Sequence, residues 1–343
     1  AVEAINDNYH KYSPVDGYID LKKSICKKFK RDNNLDYDVD QIVVSTGAKQ
    51  SIANVCMSLI NKGDEVLIPT PYWVSYSAMV ALAEGVPVFI NPDEDSNYKI
   101  TAQQLESAIT DKTKMLMLNS PNNPSGSVFT EQEYLEFSKV LSKYPNIIIV
   151  SDEIYEHINY GVKSVSFASL PGMFDRTVTV NGISKAYAMT GWRIGYLGAP
   201  KVIAKACNKM QGQITSGANC IAQRATIKAL EESPEKIQYM VDEFKIRRDF
   251  IIDLVTKING FNIKQPPMGA FYIFPDISEL FGKTFKGVTI NDANDLSMLI
   301  LEKAHVATVP GDAFGYPNCI RISYSASREQ IEEAIKRIQD LLS

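Results

Sequence analysis

At 343 residues the chain is long enough for about two domains with a substantial buried core, which excludes a disulfide-held mini-protein or a lone recognition module. Hydrophobic residues make up 45% and charged residues 22%, and 36 basic side chains against 40 acidic ones leave a formal charge of −4. This balance calls for no nucleic-acid partner, no apolar run approaches the ~20 residues that cross a bilayer, and no charged-then-apolar leader opens the chain, so a cytoplasmic protein is expected.

Short apolar runs bounded by turn residues alternate with stretches of helical period, the pattern of a parallel α/β sheet. Strands are predicted at 41–45, 65–69, 86–90, 114–119, 147–152, 177–181 and 192–198. Between them, Thr101 with Gln104 and Thr130 with Glu133 have the spacing of a capping box and predict helix starts. From Ser233 the pattern changes to one charged amphipathic segment, 234–258, read as a hinge helix that ends near Gly260. Beyond it, strands at 270–274, 306–309 and 319–324 and helices at 292–304 and 327–342 predict a smaller α+β unit. Residues 1–233 then form the large domain, and residues 234–343 the hinge helix and small domain. Five cysteines at long spacings, an odd number without a C-x-x-C, read as reduced thiols. Opening at Ala1 rather than Met, the chain reads as a processed or partial form of a longer protein.

Four features fall at predicted strand ends, where an α/β sheet keeps its ligands. In Ser45-Thr46-Gly47-Ala48-Lys49, small residues lead a strand into a helix whose first N–H groups can hold an anion such as phosphate. Taken alone it reads more readily as a plain strand-to-helix turn, and the glycine fingerprints for dinucleotides and nucleoside triphosphates are absent. Asn119-Ser120-Pro121-Asn122-Asn123-Pro124-Ser125-Gly126 is a rigid turn that can hold out an asparagine amide. Asp152, in Ser151-Asp152-Glu153-Ile154-Tyr155, follows an all-apolar run, where an acid is costly to bury without a charged or protonated partner. Lys185, in Gly182-Ile183-Ser184-Lys185, precedes Arg193 by eight residues; such a lysine can lose its proton and attack a carbonyl, while the arginine takes a phosphate. A lysine nucleophile, a phosphate cradle, an acid and polar amides together suit pyridoxal phosphate. His157 and His305 form no metal-ligand pattern with any cysteine, and no G-x-S-x-G elbow supports hydrolase chemistry.

The stretch Gly182-Ile183-Ser184-Lys185-Ala186-Tyr187-Ala188-Met189-Thr190-Gly191-Trp192-Arg193-Ile194-Gly195 resembles the lysine signature of class I/II aminotransferases, pyridoxal-phosphate enzymes of fold type I. Pro71-Tyr72-Trp73, Asn123-Pro124-Ser125-Gly126, Asp152-Glu153-Ile154-Tyr155 and Arg321-Ile322-Ser323-Tyr324 match further family motifs in order, and the similarity runs from about Tyr12 to the C-terminus.

The resemblance implies a large domain with a mostly parallel sheet and a smaller C-terminal α+β domain. It implies that Lys185 anchors pyridoxal 5'-phosphate and shuttles a proton, that Asp152 pairs with the pyridine nitrogen, and that Tyr155 and Asn123 bond the ring oxygen. Trp73 would stack on the ring. Arg193, with the Gly47-Ala48-Lys49 turn and Ser184, would hold the phosphate, and Arg321 would clamp the substrate α-carboxylate. Tyr12, in Lys11-Tyr12-Ser13-Pro14, would reach the neighbour's phosphate across a homodimer interface. Within the family, Pro71-Tyr72-Trp73 and Gly47-Ala48-Lys49 are most similar to bacterial-type aspartate aminotransferases, some of which accept prephenate, and Lys49 is the candidate for a distal carboxylate. An aromatic or broad-specificity aminotransferase is the second reading, followed by a β-lyase or decarboxylase using the same lysine and a ligand-sensing regulator. Gly182 stands where many members have a phosphate-contacting serine, and the family's N-terminal arm is not among these residues.

Overall fold

Strands buried on both faces must be apolar almost throughout, because each side chain meets a helix layer above or below the sheet. Along Thr113–Asn119, Met115 and Met117 enter one hydrophobic cluster while Leu116 and Leu118 enter the opposite one. The computed structural model describes residues 1–93 and 96–343, in which seven strands form one sheet. In chain order these are β1 (Ile42–Ser45), β2 (Glu65–Pro69), β3 (Val86–Ile90), β4 (Thr113–Asn119), β5 (Ile148–Asp152), β6 (Thr177–Gly182) and β7 (Gly195–Gly198). Their spatial order is β1-β7-β6-β5-β4-β2-β3. Every pairing between neighbours is parallel except those of β7, which runs antiparallel to β1 and β6.

Helices α1 (Val2–Asn6), α2 (Ile19–Asn33), α3 (Ala48–Leu59), α4 (Ser75–Leu82), α5 (Ala102–Ala108), α6 (Glu131–Leu141), α7 (Lys201–Ile214) and α8 (Cys220–Glu231) accompany this sheet. Ile52 and Val55 of α3, Met79 and Val80 of α4 and Ile203 of α7 cover one face. Leu105 of α5 and Phe137 of α6 lie in the opposite cluster, and Leu21, Ile25 and Phe29 of α2 pack with Tyr196 of β7. Both expected capping boxes form, with Thr101 accepting from Gln104 and Thr130 from Glu133.

After α9 (Gln238–Val255), the strands β8 (Tyr272–Ile273), β11 (Val309–Pro310) and β12 (Ile320–Ser323) make an antiparallel sheet, with a separate hairpin of β9 (Thr284–Phe285) and β10 (Val288–Thr289). Helices α10 (Ala293–Leu299) and α11 (Arg328–Leu342) pack against it through Leu296, Ile331 and Ile335. Ile154, Tyr155 and Ile158, from the turn after β5, belong to this same C-terminal cluster. The turn after β5 is therefore shared between the two packing units.

Several sequence expectations need correction. The strand expected at 192–198 begins only at Gly195, because Thr190–Trp192 form a 3₁₀ turn and Arg193 adopts a left-handed backbone that breaks the extended run. The segment 234–258 splits into a 3₁₀ turn, Pro234–Ile237, and α9. The helix expected at 292–304 turns into a π-helical stretch at Ile300–Ala304 and stops at the left-handed His305. The strand expected at 306–309 is displaced to Val309–Pro310, and the β9–β10 hairpin was not anticipated. All five cysteines are free thiols. Among the described residues, no helix is long and apolar enough to cross a membrane.

Candidate active site

Neighbouring strand ends bring distant sequence positions together. Asn119, the last residue of β4, pairs in register with Asp152, the last of β5, and its amide donates to the Asp152 carbonyl at 2.9 Å. On the other side, Gly195 of β7 pairs with both Ser45 of β1 and Gly182 of β6. A Cβ at Gly195 would lie 2.0 Å from the Ala48 nitrogen, so only glycine lets the N-terminus of α3 sit directly on the sheet. A Cβ at Gly182 would meet the Ile194 carbonyl at 2.9 Å, so a serine has no room here. Gly47 has φ +82, and a Cβ there would clash with the Arg193 guanidinium.

Above these strand ends lies a cavity of about 340 Å³. Lys185, Asp152, Tyr155 and Ser184 line it from the β5 and β6 sides, and Ala48, Lys49 and Trp73 from the α3 and α4 ends. Asn123, Arg193 and Arg321 complete the expected set. Arg321 comes from β12, and its guanidinium donates to Asn123 Oδ1 at 2.8 Å. Of the residues named from sequence, Gly47 shapes the wall through Arg193 rather than lining it, and Tyr12 lies elsewhere. Tyr12 is 99% exposed in a separate depression with Tyr9, Ser13 and Asn219.

Charge in the cavity is unbalanced. Among the described residues, Asp152 is its one lining carboxylate, and burial pushes it up to about 6 despite a 2.7 Å hydrogen bond from Tyr76, one from the Ile154 N–H, and the nearby Lys185 charge. Burial also lowers Lys185 below the usual lysine range; Arg321 and Arg193 reinforce that shift and Asp152 opposes it. Lys185 is thus biased towards the neutral, nucleophilic amine. Among the described residues, neither Lys185, Arg193, Arg321 nor Lys49 forms an ion pair, and Lys49 Nζ rests 4.9 Å from the Trp73 ring centroid. Two guanidinium groups and a helix N-terminus offer places for anionic ligand groups, and the acid offers one for a protonated ring nitrogen. The donor set fits a phosphate-bearing aldehyde with a basic ring nitrogen.

Sequence reasoning missed Tyr76, which holds Asp152, and the lining residues Asn119, Thr190 and Tyr272. Tyr76 lies three residues beyond Trp73 on α4, and nothing in its neighbours signals a contact made across the sheet. Asn119 stood inside a motif already singled out, so its strand-end position was the available signal.

Behind the site, away from the cavity, Asp32, Glu156 and His157 bring their ligand atoms within 4.8 Å of one another. The Lys28 amine supplies a cation there, bonding Glu156 and lying 3.7 Å from Asp32.

The family described as aminotransferase class I and II matches residues 1–338. A bifunctional aspartate aminotransferase and glutamate/aspartate-prephenate aminotransferase of Petunia hybrida is 45% identical over 346 residues, covering 99% of this chain and 72% of that protein. The crystal structure of the aspartate aminotransferase from Rhizobium meliloti superposes with a TM-score of 0.95 at 43% identity, covering 100% of this chain and 87% of that one. The aromatic aminotransferase of Pyrococcus horikoshii gives 0.92 at 36% identity, covering 99% and 90%.

Proposed function

The chain belongs to the class I and II aminotransferases, fold type I enzymes that depend on pyridoxal 5'-phosphate, and from that premise we propose that it moves the amino group of aspartate or glutamate to a 2-oxo acid such as 2-oxoglutarate. The observation that carries this reading is a half-buried lysine, held below the usual lysine range, facing one buried acid, with arginines free of carboxylate partners at either side.

Pyridoxal phosphate supplies a carbonyl for covalent attachment of amines and a ring that withdraws electrons from the bond to be broken. Lys185 Nζ would hold it covalently and, when free, would take and return the proton at the substrate Cα. Asp152, made costly to ionise by burial, would be stabilised in its ionised form by pairing with a protonated ring nitrogen. Arg193, Ser184 and the N–H groups of Ala48 and Lys49 at the start of α3 hold the phosphate. Tyr155 and Asn123 donate to the ring oxygen, and Trp73 covers the ring. Arg321, brought by the C-terminal sheet, takes the α-carboxylate in bidentate fashion. The exposed Lys49 ammonium, above Trp73, reads a distal carboxylate.

Tyr12, far from its own chain's cavity, serves the phosphate of a second copy, so the protein works as a homodimer with two shared sites, in the cytoplasm. An aromatic or prephenate specificity is the second reading, favoured by the aromatic wall of Trp73 and Tyr272.

Borohydride reduction of the cofactor-loaded protein followed by peptide mapping should leave the label on Lys185. A panel of single amino acids followed by cofactor absorbance should show aspartate and glutamate reacting with oxo-acid formation and no release of ammonia or carbon dioxide. A label on another lysine, or ammonia as product, refutes the reading.

A further inference from the structure

Tyr272 enters the cavity from β8, where it pairs in register with Ser323 of β12, two residues from Arg321. Its hydroxyl lies 2.8 Å from that of Tyr155. The two buried rings meet edge to face with centroids 5.9 Å apart. The Arg321 guanidinium carbon lies 4.6 Å from the Tyr272 ring centroid and 4.9 Å from that of Phe314.

Two hydroxyls at this separation share one proton between them, and whichever accepts keeps its own proton free to point elsewhere. The cation against the Tyr272 ring draws electron density from it, which makes the Tyr272 O–H the better donor. Lys185, the cation near the Tyr155 ring at 5.6 Å, is biased towards its neutral form and withdraws less. We propose that Tyr272 is a positioning residue whose hydroxyl donates to Tyr155, aiming the Tyr155 proton into the cavity, while its ring seats Arg321. Burial holds both hydroxyls above the ordinary tyrosine range, and the Arg321 charge opposes that shift at each.

The consequence rests on the proposed cofactor reading. A Tyr155 hydroxyl that accepts from Tyr272 is polarised and donates more strongly to the ring oxygen. The ring oxygen then becomes a poorer acceptor for the proton on the Lys185 nitrogen, and that nitrogen loses its proton at lower pH.

The test uses the cofactor-loaded enzyme and the variants Tyr272→Phe, Tyr272→Leu, Tyr155→Phe and Tyr155→Phe with Tyr272→Phe. Tyr272→Phe should raise the midpoint of the pH titration of cofactor absorbance by roughly half a unit, while KM for the amino donor stays within about twofold because the ring still seats Arg321. In the Tyr155→Phe background the same substitution should produce no further shift. Tyr272→Leu should also raise KM about fivefold or more, because the ring is gone. An unchanged midpoint in Tyr272→Phe, or an equal shift with and without the Tyr155 hydroxyl, overturns the proposal. So does a lowered melting temperature as the only effect of Tyr272→Phe, which makes the residue structural. Wild-type protein without a titrating cofactor on Lys185 refutes the functional reading itself, whatever Tyr272 does.

Discussion

Asp152 and Glu156 lie four residues apart around one buried turn, and their surroundings push them in opposite directions. On the cavity side, Asp152 is pushed up to about 6 by burial, with one phenol, one backbone N–H and the Lys185 charge to relieve it. On the other side, burial pushes Glu156 up as well, but the Lys28 ammonium and His157 outweigh it, and so do the Lys28 and Asn33 hydrogen bonds. Glu156 is therefore held below the ordinary glutamate range. Asn181, at the end of β6, donates to Glu156 at 2.7 Å, so this second cluster ties α2, the turn after β5 and the strand leading to Lys185 into one unit. A buried network whose charges are paired fixes geometry, whereas a buried acid short of donors and cations without counter-ions mark the place where a ligand completes the set.

The comparison breaks most readily at Lys185. Lys185→Ala should still take up cofactor non-covalently but lose roughly 10⁴-fold or more in turnover, because both covalent anchor and proton carrier go; steady-state kinetics and absorbance together check this. Asp152→Asn should cost roughly 10³-fold in turnover and weaken cofactor binding, since an amide cannot hold a protonated ring nitrogen. Its effect on the cofactor-free protein should run the other way. The folded value of about 6 lies above the ordinary 3.8, so the stability contribution of Asp152 is most favourable below the lower value and is lost as the pH rises to the upper one. Asp152→Asn should therefore raise cofactor-free stability by about 1–3 kcal/mol at pH 7 and flatten its decline between those values, as read by denaturant melts. Lost turnover without that gain would mean the acid is not strained by burial.

On the other side of the turn the same tests should move stability rather than chemistry. Lys28→Met leaves Glu156 buried beside Asp32 without the Lys28 cation and should cost about 3–4 kcal/mol in denaturant unfolding. Adding Glu156→Gln should recover a large part of that loss. A single variant with full stability would dissolve the distinction between the two sides. The smallest effect is expected at Lys49, where Lys49→Met should lower kcat/KM about tenfold for aspartate and glutamate and leave phenylalanine nearly untouched. An equal loss for both classes would assign Lys49 to the phosphate.

The strand alternation, the capping boxes at Thr101 and Thr130 and the strand-end position of Asp152 were legible because each is a local pattern of neighbouring side chains. The signature around Lys185 and Arg193 was legible for the same reason. The backbone of Arg193 was not, since its left-handed turn follows from how β7 must start beneath α3. The reversed direction of β7 was equally hidden: an apolar run reads the same way in both directions, and only its pairing with β1 and β6 fixes its sense.

The sequence by itself determined which groups could do chemistry here: a lysine, an acid, two arginines and a glycine-bearing turn, each at a strand end or helix start. Only the tertiary structure decided their state. Asp152 is raised and Lys185 lowered because segments distant in sequence withdraw water from both, while Glu156, four residues along, is held down by Lys28 and Asn33, 128 and 123 residues away. Tyr76, Tyr272 and Lys28 carry no local signature of those contacts. Desolvation and pairing depend on what folds against a group, and a chain read one residue at a time does not contain that distance.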